Sequence, residues 1–246
     1  MIPEFHAHAL PAPALTVLVL TTAGVAVLHT LAGPDHYLPF IVMSRARRWS
    51  MARTIFWTFL CGLGHVGSSV LLAMAGVVFG FGLKRVQLIE EFRGNIAAWA
   101  LIAFGAVYLV WGLKRAGRAR AHSHGHGHET GEHAHQHSHL GGHARAHTES
   151  GKANITPWIL FTIFVFGPCE PMIPLVMYPA AEGNWSDVWL VSGLFSLLTI
   201  LSMLAVVWLA VKGVALVPAW RLERYTHAVA GGTILAAGCA IQFLGL

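Results

Sequence analysis

Two short stretches of this chain set helix-breaking residues beside side chains that bind metal ions. The first is His29-Thr30-Leu31-Ala32-Gly33-Pro34-Asp35-His36, and the second is Gly167-Pro168-Cys169-Glu170. A further capable residue, His65, stands in Gly62-Leu63-Gly64-His65-Val66-Gly67-Ser68. Imidazoles with one or two carboxylates suit Ni, Co, Zn or Fe, and a thiolate adds a soft donor. The candidate metal residues are therefore His29, Asp35, His36, His65, Cys169 and Glu170. Cys61 and Cys239 read as small packed apolar residues. The plainer reading of the same residues is that proline and glycine only kink their helices, with His65 a packed hydrogen-bonding residue.

Proline removes an amide donor and clashes with the preceding turn. A helix opened in this way points its freed carbonyls into a cavity rather than into lipid. A carboxylate within a span costs about 2.5–3.5 kcal/mol on an insertion scale, so Asp35 demands a partner or a cavity. The two stretches also match each other. Aligning Gly33-Pro34 with Gly167-Pro168 aligns Val42-Met43 with Val176-Met177, and sets Asp35 against Cys169 and His36 against Glu170. Gly62-Leu63 and Gly193-Leu194 follow at similar distances. Interrupted helices at corresponding positions of two halves mark the binding site of many transporters.

The elements that must hold these residues are membrane helices. The chain is 55% hydrophobic and 11% charged, where a soluble domain is about 25% charged. Six apolar runs are long enough to span: 13–43 (interrupted), 54–82, 95–113, 157–181 (interrupted), 187–211 and 226–246. The expected fold is all-α, six transmembrane helices in two inverted three-helix repeats with helices 1 and 4 broken. An odd number of spans per repeat requires the inversion. The N-terminus, residues 1–13, lacks the basic n-region of a signal peptide, so the first run reads as a retained span.

Orientation follows from the basic residues. Thirteen lie in the segments after spans 1, 3 and 5, against Lys84, Arg85 and Arg93 on the other side. The segment between spans 3 and 4 is then cytoplasmic, both termini lie outside, and the expected location is a bacterial-type inner membrane. No nucleic acid is expected as a partner. The three cysteines form no CxxC pair and give no disulfide framework.

Three regions result: a first membrane repeat over 1–113, a polar loop over 114–153 and a second repeat over 154–246. Ten of the sixteen histidines lie in the loop, between His122 and His147. Its composition cannot bury enough apolar surface to fold, so disorder is expected. His-rich tracts of this kind read as exchangeable metal sites, or else as a solubilising or pH-sensitive linker.

With these residues in place, the chain resembles the nickel/cobalt transporter superfamily, especially its NicO efflux-type and urease-accessory-protein-H-like branches. These belong to the wider lysine-exporter superfamily, with sulfite-exporter-like relatives. His29…Asp35-His36 is similar to that family's His-x4-Asp-His signature, with one more residue here. Leu63-Gly64-His65 resembles its second signature. The resemblance implies that His29, Asp35, His36 and His65 select and carry the metal. Six spans rather than the eight of the uptake permeases favour the efflux-type branch.

The resulting expectation is a secondary transporter, not an enzyme, moving divalent nickel or cobalt outward by alternating access. Zinc and iron remain open as substrates, and so does a homo-oligomeric state. No prosthetic group is implied, and no phosphate-binding loop is present for ATP hydrolysis. Two other classes stand beside this one: a CcdA-type membrane thiol-redox conductor, suggested by Gly167-Pro168-Cys169, and an exporter of sulfur or organic anions.

Overall fold

A computed structural model describes residues 12–118, 122–128, 131–137, 155–215 and 223–245. Eight helices carry nearly all of the described structure. They are α1 (Ala12–Ala32), α2 (Leu38–Ala46), α3 (Met51–Val78), α4 (Leu83–Arg118), α5 (Thr156–Phe166), α6 (Met172–Ala181), α7 (Trp185–Ala215) and α8 (Thr226–Leu244). Five of them, α1, α3, α4, α7 and α8, are long and apolar enough to cross a membrane. The surface supports the same reading. Leu20, Leu28, Leu71, Val107 and Leu209 are exposed, whereas His36, His65, Ser69, Glu90 and Asp187 are buried. Apolar outside and polar inside is the distribution of a multi-pass helical membrane protein.

Local chemistry sets the helix ends. The Ser50 hydroxyl caps α3 by accepting from the Arg53 amide. Gly80, at φ +65°, turns the chain from α3 into α4. Asn184 caps α7 by accepting from the Asp187 amide.

The tightest helix pair is α4 with α8. A side chain at Gly105 or Gly112 would collide with the backbone of Leu235 or Ala228. Reciprocally, a side chain at Gly231 or Gly238 would collide with the backbone of Leu109 or Ile102. Small residues let the two backbones meet. Contact positions rise along α4 as they fall along α8, so the pair is antiparallel. Around it, α1 packs on α7, α3 on both α5 and α7, and α2 on α8.

Several boundaries differ from those read in the sequence. The helix expected over 95–113 starts at Leu83 and runs to Arg118. Lys84, Arg85, Glu90, Glu91 and Arg93 are therefore helical rather than loop residues, and so are the first residues of the segment taken as the polar loop. Within that loop the backbones of His122–His128 and Gly131–His137 pair as an antiparallel hairpin, β1 and β2, where the composition suggests no fixed structure. The remaining loop residues lie outside the described residues. The interrupted run over 157–181 is two short helices, α5 and α6.

Candidate metal centre

The break after α1 begins at Gly33. Pro34 has no N–H for the carbonyl of Thr30, and Pro34–His36 form one 3-10 turn before α2 starts. The Tyr37 hydroxyl bonds the Leu31 carbonyl at 3.2 Å, which occupies an acceptor the helix would otherwise have paired with residue 35. The turn folds the His36 ring back over Gly33. A β-carbon at Gly33 would lie 2.5 Å from His36 Nδ1, so only glycine leaves room for the ring.

The break after α5 repeats this device with a different donor of the imidazole. Pro168 cannot pair with the Phe164 carbonyl, which accepts the Gly167 N–H at 3.0 Å instead. The ring of His65, from α3, lies over the same turn, where a β-carbon at Gly167 would also meet the Phe164 carbonyl oxygen at 3.2 Å. A β-carbon at Gly167 would lie 2.9 Å from His65 Nδ1. Both Gly-Pro pairs therefore open a helix and seat an imidazole.

These seats bring His36 and His65 together, with His29 from the last turn of α1 completing the group. The ring centroids of His29 and His36 are 4.8 Å apart and those of His36 and His65 4.9 Å, both edge to face. One ligand nitrogen from each of the three lies within 4.8 Å of the others. Nitrogens sharing an ion at about 2.0–2.1 Å can be no more than about 4.2 Å apart. Bringing the widest pair to that limit takes a few tenths of an ångström at each ring, and a tetrahedral arrangement, with nitrogens about 3.4 Å apart, takes more.

The hydrogen bonds decide which nitrogens are available. His36 Nδ1 lies 3.1 Å from the Gly33 carbonyl and 3.0 Å from Asp35 Oδ1. A carbonyl only accepts, so Nδ1 carries the proton, and in the neutral ring Nε2 presents its lone pair. His65 Nδ1 likewise lies on the side of its break, beside Gly167 and the Phe164 carbonyl. Nε2 of His36 and Nε2 of His65 are both buried with no hydrogen-bond partner. A buried polar atom left unpaired costs about 1–3 kcal/mol, a cost that a bound cation removes. Metal-binding histidines are commonly held by a carbonyl or carboxylate on the far nitrogen, which is the arrangement here.

The other candidates divide. Cys169 is fully buried and its Sγ lies 3.7 Å from His29 Nε2, at the edge of the group. Asp35 acts on the His36 ring rather than standing among the three nitrogens. Glu170 is exposed and stands outside the group. Cys61 is a buried core residue packed with Phe164 and Met203, as its surroundings in the sequence suggest. Of the small residues around His65, Gly62 packs on Ile200 and Met203 and Gly64 on Phe161 and Val165, while Gly67 faces open space.

One pair escaped the sequence reading. Glu90, on α4, is fully buried and bonds Arg93 one turn later. The Glu90 carboxylate also accepts from the Ser69 hydroxyl and, at 2.8 Å, from the Cys169 amide. Arg93 donates to Ser68 Oγ at 2.7 Å and to the Val165 carbonyl at 2.8 Å. Pro168 packs directly on Gly94, where a β-carbon would be 2.7 Å from its ring. The only signal in the sequence is a Glu-x-x-Arg pair one turn before a long apolar run.

A narrow cavity of about 20 Å³ adjoins the centre, lined by Asp35, His65, Gly94, Gly167 and Pro168 and otherwise by apolar side chains of α4, α5 and α8. It has room for a water or a small cation. The depth of the centre follows from α3: His65 lies fourteen residues from Met51 and thirteen from Val78, about 20 Å from either end at 1.5 Å per residue. In comparisons with known proteins, no family model matches the chain, and neither does any curated protein or solved structure.

Proposed function

We propose that this protein is a secondary transporter of divalent transition metal ions, most simply nickel or cobalt, that moves them outward by alternating access. The observation that carries the proposal is the pair of buried, unpartnered Nε2 atoms of His36 and His65, midway along the α3 crossing and each seated at a helix break. Imidazole donors in a buried site suit borderline ions and not calcium or magnesium, which take oxygen.

The packing supports six crossings in two inverted halves. Antiparallel α4 and α8 require an even number of crossings between them. With α7 as one, α5 and α6 together supply the other. The first broken helix of each half rests on the second helix of the other half, α1 on α7 and α5 on α3. The central pairs, α3 with α7 and α4 with α8, join equivalent members. A two-fold axis between the halves produces these contacts. Alternating access then consists of one half rocking against the other around the centre.

The orientation retains the His-rich loop on the cytoplasmic side of an inner membrane, where it would collect metal for export. Arg93 leaves the tally of loop charges because it is tied inside the bundle, and Arg47, bonded to Thr156 and stacked on Tyr108 and Trp111, leaves it for the same reason, so the asymmetry stands at twelve against two. The two other classes find less support. A thiol-redox conductor needs two exchanging cysteines; Cys169 faces His29, and Cys61 packs in a different cluster. An organic-anion exporter needs a larger and more basic cavity than one of about 20 Å³ with Asp35 in its wall.

Cells producing the protein should hold less nickel or cobalt than cells without it and tolerate more of either in the medium. His36→Ala and Asp35→Ala variants that move metal like the wild type would refute the site. Accumulation raised rather than lowered by the protein would reverse the direction.

A further inference from the structure

The Glu90–Arg93 pair on α4, its carboxylate fully buried and its guanidinium partly so, has no place among the metal donors, yet it and the adjoining Gly94 touch the second break at three points. Glu90 takes the Cys169 amide, Arg93 takes the Val165 carbonyl, and Pro168 rests on Gly94 one residue beyond Arg93. The same two side chains reach α3 through Ser69 and Ser68, the residues that follow His65 by one turn. The pair thus joins three elements at the level of the centre: α4, the α3 turn after His65, and the break that carries Gly167 and Cys169.

Removing the Glu90 carboxylate from water is expensive, and a buried ion pair gives little net stability against an apolar replacement. Its persistence here calls for a positional reason. The polar capacity of both partners is spent on the break and on α3. Val165 and Cys169 flank the Gly167-Pro168 step where the helix loses its own pairing, so the pair substitutes for hydrogen bonds the break cannot make. Fixing those two points fixes Gly167, on which His65 sits, and the direction of the Cys169 Sγ toward His29.

We infer that Glu90, held by Arg93, is a positioning residue of the metal centre: it sets the second break so that His65 and Cys169 present their donor atoms to the same ion. The inference rests on the metal-site reading above and extends it to residues that touch no metal. It also assigns the ion a mixed nitrogen–sulfur environment, which selects borderline metals such as cobalt, nickel and zinc over manganese and magnesium.

The test uses the full chain, purified in detergent and titrated with Co(II), with binding followed by calorimetry and by the visible spectrum. Wild type should bind one ion in the membrane region with an intense, low-symmetry spectrum and a sulfur-to-cobalt charge-transfer band that Cys169→Ser abolishes. A chain in which the His-rich loop histidines are replaced separates this ion from those the loop holds. Glu90→Gln should still bind cobalt through the imidazoles, with affinity lowered about 10–100-fold, the range for residues that orient ligands, and with the charge-transfer band diminished. Ser69→Ala removes a single bond to Glu90 and should shift both readouts in the same direction by less, so the inference stays testable if Glu90→Gln does not fold. Cobalt bound with wild-type affinity and spectrum in both variants would overturn the inference alone. A wild type that takes up no cobalt in the membrane region would overturn the metal-site reading and the inference with it.

Discussion

At the first break the imidazole on the glycine comes from the same chain segment, His36 on Gly33, and its carboxylate partner is the neighbouring Asp35. At the second break the imidazole on Gly167 comes from another helix, His65 of α3, and the carboxylate that holds the break, Glu90, comes from a third. Both breaks have the same Gly-Pro step and the same steric logic, a glycine under a ring. They differ in where the chemistry is drawn from. A linear alignment sets His36 against Glu170, whereas in space the counterpart of His36 is His65. The comparison teaches that a repeated backbone device can be furnished locally in one half and by neighbours in the other.

The largest expected effect is on the rings themselves. His36→Ala and His65→Ala should each lower Co(II) or Ni(II) affinity by more than the about 10–100-fold that residues behind the ligands contribute. Calorimetry on the purified variants checks this. Similar losses in the two variants support the equivalence of the seats. A large loss for His36 and none for His65 would make the first break self-sufficient and end the comparison.

The glycines sharpen it further. Gly33 (φ −84°, ψ 101°) and Gly167 (φ −59°, ψ 138°) have backbone angles open to alanine. An alanine at either position therefore acts by displacing the groups above it, chiefly the ring. Gly33→Ala meets His36 Nδ1 at 2.5 Å and Asp35 Oδ1 at 2.9 Å, whereas Gly167→Ala meets His65 Nδ1 at 2.9 Å. Metal affinity should fall on the order of tenfold for Gly33→Ala, as for other disturbed supports of a ligand, and less for Gly167→Ala. Unchanged affinity in both would show that the rings sit elsewhere when metal is bound. Asp35→Asn keeps an acceptor near His36 Nδ1 but loses the charge, and should weaken binding by no more than about tenfold. A loss beyond about 100-fold would promote Asp35 from orienting the ring to binding the ion.

How much of this was legible in the sequence depends on the range of the interaction. Helix breaks at Gly-Pro are local events, so both were readable, and so were His29, Asp35, His36 and His65 as a set. Glu90 and Arg93 were not, because Glu90-Glu91-Phe92-Arg93 reads like a solvated helix start. Its burial comes from packing against α3 and the α5–α6 break, contacts that span many residues of sequence. Cys169 was readable as a candidate donor but its approach to His29, 140 residues away, was not. The long α4 was underestimated because charged residues within its first turns interrupted the apolar run that marks a span.

Glu170 provides the smallest effect and the sharpest separation between alignment and geometry. The repeat puts it opposite His36, and as an acidic group beside a helix break it reads as a ligand. The chain turns between Cys169 and Glu170, so the cysteine points into the core and the glutamate out of it. The Glu170 carbonyl is meanwhile occupied, accepting from the Ile173 amide at 3.2 Å as α6 begins. With its side chain exposed and outside the three-histidine group, Glu170→Gln should leave Co(II) affinity within about twofold, as for most surface substitutions, and leave the cobalt spectrum unchanged. A loss as large as that of Asp35→Asn would mean that the second break rotates during transport and carries Glu170 inward, and the two breaks would then be alternately, rather than unequally, equipped. The same variant assayed for export discriminates further. An unchanged affinity with a slowed rate places Glu170 on the path of the ion, while unchanged values of both leave the second break to Cys169 and to the imidazole it borrows from α3.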